Sequence, residues 1–308
     1  MKRFEYLRPK TLDEAIALLQ HYGKKATLIA GGTDVIVMAK QKKVLSEVLI
    51  SLQGVPGLNQ IHSNGTLRLG PLVTHRAIEK SDVIQKQYPA LSDAVGWLGS
   101  IQIRNVATIG GNICTAAPSA DTACPLLVLD AQLKIRGANS ERTVPIDQFF
   151  IGPGQTALSP GEILTEIEIP RLLPNTGSAY WKHQRRLALD LPILGVAVLL
   201  SLDKGTVTCS DLLCTTSPIS ALLHRLEKDE LQCKEIRIAL GVAAPTPMRA
   251  KKAEEIVRGK MITDELIEKA GQTASEEGQT GADLFFSAEY KKELLKVMVK
   301  KALKQALA

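Results

Sequence analysis

The sequence predicts a two-part α+β protein: an N-terminal module assembled from two smaller units, then a C-terminal α+β domain. Three observations predict it. The length of 308 residues fits about two domains at roughly 150 residues each. Helical and strand-like segments alternate from the first residues onward, the pattern of a mixed fold. The stretch Pro170 to Gly177 (Pro-Arg-Leu-Leu-Pro-Asn-Thr-Gly) carries two prolines and a glycine, which marks the main boundary. The expected division is 1–173, in units of about 1–53 and 54–173, followed by 174–308.

The first unit opens on a capping box, Thr11-Leu-Asp-Glu14, in which the hydroxyl takes the Glu14 amide and the carboxylate reaches back. Leu12, Ala15, Ile16 and Leu19 fall on one helical face, and Gly23 stops the helix. Ala26 to Ala30 reads as a short buried strand that runs into Gly31-Gly32-Thr33-Asp34. An apolar helical segment follows from Val35 to Ala39, then a strand at Glu47 to Ser51. In the second unit, Thr66 to Gly70 reads as a strand and Thr74 caps a helix through Lys80. Pro89 to Leu98 and Asp121 to Leu129 read as helices. Between them, Ile103 to Ile113 carries a second glycine pair. Strands follow at Gln132 to Arg136 and Glu162 to Ile169. Beyond the boundary, strands are expected at Ala179 to Gln184, Leu194 to Leu202 and Ile236 to Ala243. Helices are expected at Met248 to Val257, Thr263 to Glu277 and Ser287 to Ala308.

Composition excludes several functions. Apolar residues at 45 % and charged residues at 23 % rule out a mostly disordered chain. Aromatics at 4 % argue against a stacking platform for single-stranded nucleic acid. The longest apolar run, Leu191 to Leu200, has ten residues, against about 20 for a membrane span. The N-terminal charges are followed by no apolar stretch, so no secretory signal is expected. With it goes the expectation of a cytoplasmic protein with reduced thiols. Net charge is +6, and six lysines lie between Ser287 and the end. That basic helix is either a solvated face or a contact for nucleic acid or an acidic partner. The five cysteines show no C-x-x-C spacing, and Cys114 and Cys124 read as inert thiols unless other ligands join them.

Several familiar sites are missing: no phosphate loop of the G-x-x-x-x-G-K-[ST] type, no H-E-x-x-H, no G-x-S-x-G, and no G-x-G-x-x-G after a strand. The histidines have no metal-ligand spacing. What remains is a pair of glycine pairs, Gly31-Gly32 after a strand and Gly110-Gly111 in Thr108-Ile-Gly-Gly-Asn112. Glycine lets backbone N–H groups approach a ligand with no Cβ between, and successive amides form an anion site. Two such bends could hold one diphosphate from opposite sides, with Thr33, Thr108 and Asn112 adding side-chain hydrogen bonds. The plain alternative is two ordinary tight turns.

Ile29-Ala-Gly-Gly-Thr-Asp34 followed by Thr108-Ile-Gly-Gly-Asn-Ile113 closely resembles the FAD-binding (medium) subunits of molybdenum hydroxylases, the xanthine dehydrogenase and carbon monoxide dehydrogenase family. Arg104 to Thr108, Ala116 to Asp121, Lys182 to Pro192, Ala244 to Glu254 and Ser287 to Leu294 match in order, so the resemblance spans nearly the whole chain. It implies a two-subdomain FAD module of the vanillyl-alcohol-oxidase (PCMH) type followed by a C-terminal α+β domain. By resemblance, Leu28, Ile29, Ala30, Gly31, Gly32, Thr33, Asp34 and Val35 would wrap the diphosphate together with Thr108, Ile109, Gly110, Gly111 and Asn112. Thr115 and Asp121 would reach the ribose and adenosine side. Leu98 and Leu164 would pack against the cofactor, and Lys182 would lie by the pyrimidine end of the isoalloxazine. Local readings stand beside these. Asp34 could favour a helix N-terminus, Asp121 could be an N-cap, and Lys182 could be a strand-surface lysine. Arg185 and Arg186 could bind a nucleotide phosphate or a partner, or form surface ion pairs.

The implied function is electron transfer by FAD within a complex. Its partners would be a molybdopterin-containing large subunit, a small [2Fe–2S] subunit and an external acceptor, NAD among the candidates, in a dimer of heterotrimers. No catalytic side chain and no metal are assigned to this chain. The alternative is a stand-alone FAD oxidoreductase acting on a small substrate. Some relatives carry an iron–sulfur cluster in a cysteine-rich insertion after the second glycine motif; no four-cysteine set lies there in this sequence, so none is expected. A second departure is the stretch between Gly205 and Lys234, where relatives have a short turn and Ile219 to Leu231 could form a helix.

Overall fold

The computed structural model describes residues 3–43, 46–186, 188–204, 231–282 and 285–307. The expected α+β class is what these residues form, with three main sheets among them. The N-terminal unit is a parallel sheet ordered Glu5–Leu7, Val48–Ser51, Ala26–Ile29. Val48–Ser51 is central and buried along its length, as its apolar run requires. Leu12–Tyr22 packs against this sheet through Ala15 and Ile16. Its cap departs slightly from the expected box. Thr11 Oγ1 accepts from the Glu14 amide, but the Glu14 carboxylate reaches the Lys10 amide at 2.7 Å rather than that of Thr11.

The second unit is an antiparallel five-stranded sheet, ordered Ile61–Ser63, Leu67–Leu69, Ile163–Ile169, Gln132–Arg136, Glu141–Pro145. Helices Pro89–Trp97, Ile109–Thr115 and Ala123–Val128 bury Leu91, Ile109, Ile113, Leu126 and Leu127. After residues 170–175 comes an antiparallel four-stranded sheet, ordered Thr176–His183, Leu194–Lys204, Leu231–Gly241, Met248–Arg249. Helix Ala288–Leu307 covers one face of it. The other face joins the preceding core: Tyr180, Ala197, Leu199 and Ala239 are buried in one cluster with Leu91, Ile113 and Leu127.

Several expected elements shift. Met248 and Arg249 pair with Ala239 and Leu240 as a short strand, and the helix starts at Lys251. Asp121 stays outside its helix, which begins at Ala123. The expected helix over 219–231 lies outside the described residues except for Leu231, which opens a strand. The lysine-rich C-terminal helix is partly neutralised, because Lys296 and Lys300 pair with Glu268 and Lys304 with Asp264. No helix among the described residues is long and apolar enough to cross a membrane.

Leu199, 1 % exposed, belongs to the core shared by both sheets. Leu199→Ala removes buried methyls from it and is expected to lower unfolding stability by about 2–5 kcal/mol. Denaturant unfolding should show one transition at a lower midpoint rather than the loss of the C-terminal sheet alone.

Candidate functional site

A cavity of about 800 Å³ opens where the parallel sheet, the helices over 101–115 and the loop 189–191 meet. That volume is typical of a site that encloses most of a small ligand. Strand Ala26–Ile29 forms one wall. The sequence reads it as buried, but its residues are half-buried because one side faces the cavity. The strand ends at the first glycine pair. A Cβ on Gly31 would overlap the Val106 carbonyl oxygen and lie 3.0 Å from Ala107 Cα. Gly32 turns the chain with φ +78°, a conformation that favours glycine. The Ile36 amide then bonds the Gly32 carbonyl and starts the next helix. The amides of Thr33 and Asp34, just before its first turn, donate to no described residue. They are the orphan donors of a helix start.

The second glycine pair is built differently from the expected bend. Gly110 and Gly111 lie in the first turn of helix Ile109–Thr115, capped by Thr108. Their amides are already committed: Gly110 N–H to the Pro71 carbonyl at 2.9 Å, and Gly111 N–H to Thr108 Oγ1 at 3.1 Å. A Cβ on Gly110 would lie 2.6 Å from the Pro71 oxygen, so this glycine serves close packing. The Gly111 position faces the first segment, with Ala30 Cβ 3.9 Å from where its own Cβ would be. The backbone donors therefore come from the first segment, while the second presents a surface free of Cβ. Around it stand the Thr108 hydroxyl, the side chain of Asn112, whose Oδ1 accepts from Thr122, and the Thr115 hydroxyl, which donates to the Gly111 carbonyl and to Asp34 Oδ2 at 3.3 Å.

Asp121 lines the cavity with Lys182 behind it. Lys182 Nζ lies 3.1 Å from Asp121 Oδ2, and Tyr180 donates to Asp121 Oδ1 at 2.9 Å. Both charged side chains are almost wholly buried. Burial pushes the Asp121 carboxyl above its ordinary value, against the pull of Lys182 and Tyr180. The same burial, with Asp121 beside it, pushes the Tyr180 phenol well up, so it stays a donor. This geometry excludes two of the local alternatives. Asp121 is not an N-cap, and Lys182 is not on the strand surface. Asp121 and Lys182 thus stand together at one place rather than apart.

Two cations hold the turn after helix Pro89–Trp97. Lys182 Nζ donates to the Trp97 carbonyl at 3.3 Å and Arg104 Nη1 to the Leu98 carbonyl at 3.0 Å. Cations suit helix C-termini, where carbonyls are unpaired. Glu79 fixes Arg104 from the other side at 3.0 Å, and Arg104 and Arg76 hold the Glu79 carboxyl below its ordinary value against its partial burial.

Of the expected residues, Leu28 to Val35, Leu98, Thr108, Gly110, Gly111, Asn112, Thr115, Asp121 and Leu164 all line the cavity. Ile109 does not: its side chain is in the core and its amide bonds the Val73 carbonyl. Lys182 stands behind Asp121 rather than on the cavity surface. Sequence reasoning missed Leu72, His75, Ile103, Cys114 and Ile163, none of which stands in a recognisable spacing. Cys114 is inert, its thiol pushed up to about 12 by burial. Leu189, Asp190 and Leu191 also line the cavity, in a loop tied by Asp190 to the amides of Arg185 and Arg186. Those arginines pair with Asp190, which is the surface-ion-pair alternative. The donor set fits FAD: free amides and hydroxyls for a diphosphate, a wall without Cβ, apolar Leu98, Ile103 and Leu164, and a buried ion pair for polar edges.

Residues 2–172 match the family described as the FAD binding domain in molybdopterin dehydrogenase. Residues 218–306 match the CO dehydrogenase flavoprotein C-terminal domain. The xanthine dehydrogenase FAD-binding subunit of Escherichia coli O157:H7 is 32 % identical over 98 % of this chain and 96 % of its own. The carbon monoxide dehydrogenase medium chain of Hydrogenophaga pseudoflava is 32 % identical over 99 % and 98 %. Among solved structures, carbon monoxide dehydrogenase from Hydrogenophaga pseudoflava, in a form lacking the Mo-pyranopterin moiety, superposes with a TM-score of 0.86 at 32 % identity, covering 99 % of this chain and 97 % of that one. Quinoline 2-oxidoreductase from Pseudomonas putida 86 gives 0.85 at 25 % identity, covering 100 % and 98 %.

Two outcomes are expected from substitution. Gly111→Val fills the gap between the two segments, and bound flavin per purified chain should fall by about tenfold or more while the circular dichroism spectrum persists. Full flavin occupancy would show that this surface does not face the ligand. Lys182→Met leaves Asp121 buried without its cation and should cost about 3–5 kcal/mol in denaturant unfolding. Adding Asp121→Asn should restore the larger part of that loss.

Proposed function

This chain belongs to the family of FAD-binding subunits of molybdopterin dehydrogenases, and we propose that it carries electrons between [2Fe–2S] clusters of a small partner subunit and an external acceptor, with NAD among the candidates. FAD is its cofactor, and the chain is a subunit of a multi-subunit oxidoreductase. In the proposed complex, a molybdopterin-containing large subunit transforms the organic substrate, and the assembly is a dimer of heterotrimers in the cytoplasm.

The observation that carries the reading is the meeting of two distant glycine segments in one cavity, with unspent amides on one of them. Bound FAD supplies exchange between one-electron carriers and a two-electron acceptor. The chain's own residues then bind and orient. Thr33 and Asp34 offer amides to the diphosphate, and Thr108, Asn112 and Thr115 add side-chain polar atoms. Leu98 and Leu164 exclude water from the ring. Asp121, held by Lys182 and Tyr180, offers fixed polar atoms at the wall where Leu98 is anchored. Trp97, Ile101 and Val106 are exposed apolar side chains on the elements that form the cavity. Surface of that kind suits a subunit contact close to the cofactor.

Protein purified from its native cells should show flavin absorption, release one FAD per chain on denaturation, and carry molybdenum and iron–sulfur subunits with it. Colourless protein without extractable flavin would overturn the cofactor assignment in the cell. A solitary, catalytically active flavoprotein would overturn the electron-transfer role and favour direct oxidation of a small substrate.

A further inference from the structure

We propose that Glu79 is a positioning residue for the flavin: through Arg104 it holds the apolar wall at Leu98 and Ile103 at a fixed spacing from the glycine seam. The proposal rests on the FAD reading above and deepens it, because Glu79 belongs to none of the sequence motifs and does not itself line the cavity.

Glu79 stands near the end of the helix His75–Lys80, which Thr74 caps. The start of this helix is tied to the seam. The His75 backbone amide donates to the Ala107 carbonyl at 3.0 Å, and Thr74 is bridged to Thr108. Ala107 and its neighbour Val106 are the residues against which Gly31 closes. The far end is tied to the apolar wall. Arg104 Nε and Nη2 donate to the two oxygens of Glu79 at 3.0 and 3.3 Å, and Arg104 Nη1 donates to the Leu98 carbonyl at 3.0 Å. Six helical residues at about 1.5 Å each thus form a strut between two parts of the site.

The strut is stiff at the Glu79 end. A bidentate pair fixes the plane of the guanidinium, which a single point contact would not. Arg76 Nη1 adds a third donor to the Glu79 carboxylate at 2.8 Å, so the carboxylate is itself held. Each of the three Arg104 nitrogens is committed, and the side chain is 10 % exposed. Its charge therefore serves the wall rather than a ligand. Beyond Leu98 the chain turns at Gly99 with φ +54°, and a Cβ there would lie 3.0 Å from Ile103 Cγ2. The turn and Ile103 are thus packed together, and Leu98 and Ile103 both line the cavity. The seam offers amides to the diphosphate, and this wall offers apolar surface to the ring. Those two parts of FAD are joined covalently, so a wall already at the matching distance lowers the ordering cost of binding.

The test uses the full chain, in whatever assembly it purifies, stripped of flavin and titrated with FAD and with ADP, which carries adenosine and diphosphate without the ring. Glu79→Gln keeps the size and removes the charge. Lys182 still holds the Trp97 carbonyl in that variant, so the turn keeps its second anchor. The expected result is about tenfold weaker FAD, the scale of a lost hydrogen bond to a charged group, with ADP within about twofold of wild type. Arg104→Lys should give the same pattern, because an ammonium does not replace the fork. Adding Glu79→Gln to it should then weaken FAD little further, as for two residues that act through one contact. A folded Glu79→Gln variant that binds FAD like wild type overturns the proposal. So does equal weakening of FAD and ADP, the mark of a general loosening, and so does full additivity in the double variant, which would separate Glu79 from Arg104. If Glu79→Gln does not fold, Arg104→Lys, which leaves Glu79 beside a cation, decides by the same two titrations. Wild-type chain that takes up no FAD at all would instead overturn the FAD reading.

Discussion

Gly31 lies so close to the backbone of Val106 and Ala107 that a β-carbon there would overlap the Val106 carbonyl oxygen. This contact fixes how two segments far apart in sequence share one seam. Ala30 then stands opposite Gly111, and Asp34 comes within reach of Thr115. Closing so long a loop costs chain entropy. The burial of Ile109 and Ile113 just beneath the seam offsets it. A larger residue at position 31 would push the walls apart, and the polar groups on either side could no longer address one ligand.

The two glycine segments divide the work. The first spends few of its amides on the protein and presents Thr33 and Asp34 to the cavity. The second spends its own on Pro71 and Thr108 and contributes bareness, because Gly110 lets the Pro71 backbone come close and Gly111 leaves room for the side chains of Thr108 and Ala30. Apart from Asp34, the fixed charges lie away from this seam. The buried pair of Asp121 and Lys182 and the Arg104–Glu79 pair both converge on the turn at Trp97 and Leu98. One end of the cavity is thus shaped by backbone and hydroxyls, the other by desolvated ions whose geometry is locked by carbonyl partners.

Much of this was legible in the sequence, because strand and helix periodicity is local. The helix after Thr11, the strand Gln132–Arg136 and the cap Thr74 need only a few neighbouring residues to be recognised. The convergence of the glycine pairs on one diphosphate was one reading of the residues, beside two ordinary turns, and the cofactor's identity came from motif resemblance. What was hidden depends on contacts across the fold. The glycines at 110 and 111 look like a bend until Pro71 and Thr108 are seen to take their amides. Asp121 looks like a cap until Lys182 and Tyr180 are brought to it from beyond residue 170. Strand Ala26–Ile29 is apolar enough to be buried, yet one side of it is left for the cavity. His75 has no spacing signal at all; its place at the cavity exists only in three dimensions.

The ion pair beside the cavity joins residues from either side of the stretch 170–175: Asp121 lies before it, Lys182 after it. The core does the same, since Tyr180, Ala197, Leu199 and Ala239 complete the packing around Leu91 and Leu127. A nascent chain that has left the ribosome only as far as residue 170 holds a carboxylate without its cation and an apolar face without its cover. The Asp121 side of the cavity is therefore completed only after Lys182 and the strands through Ala239 have been made, later in synthesis than the glycine seam.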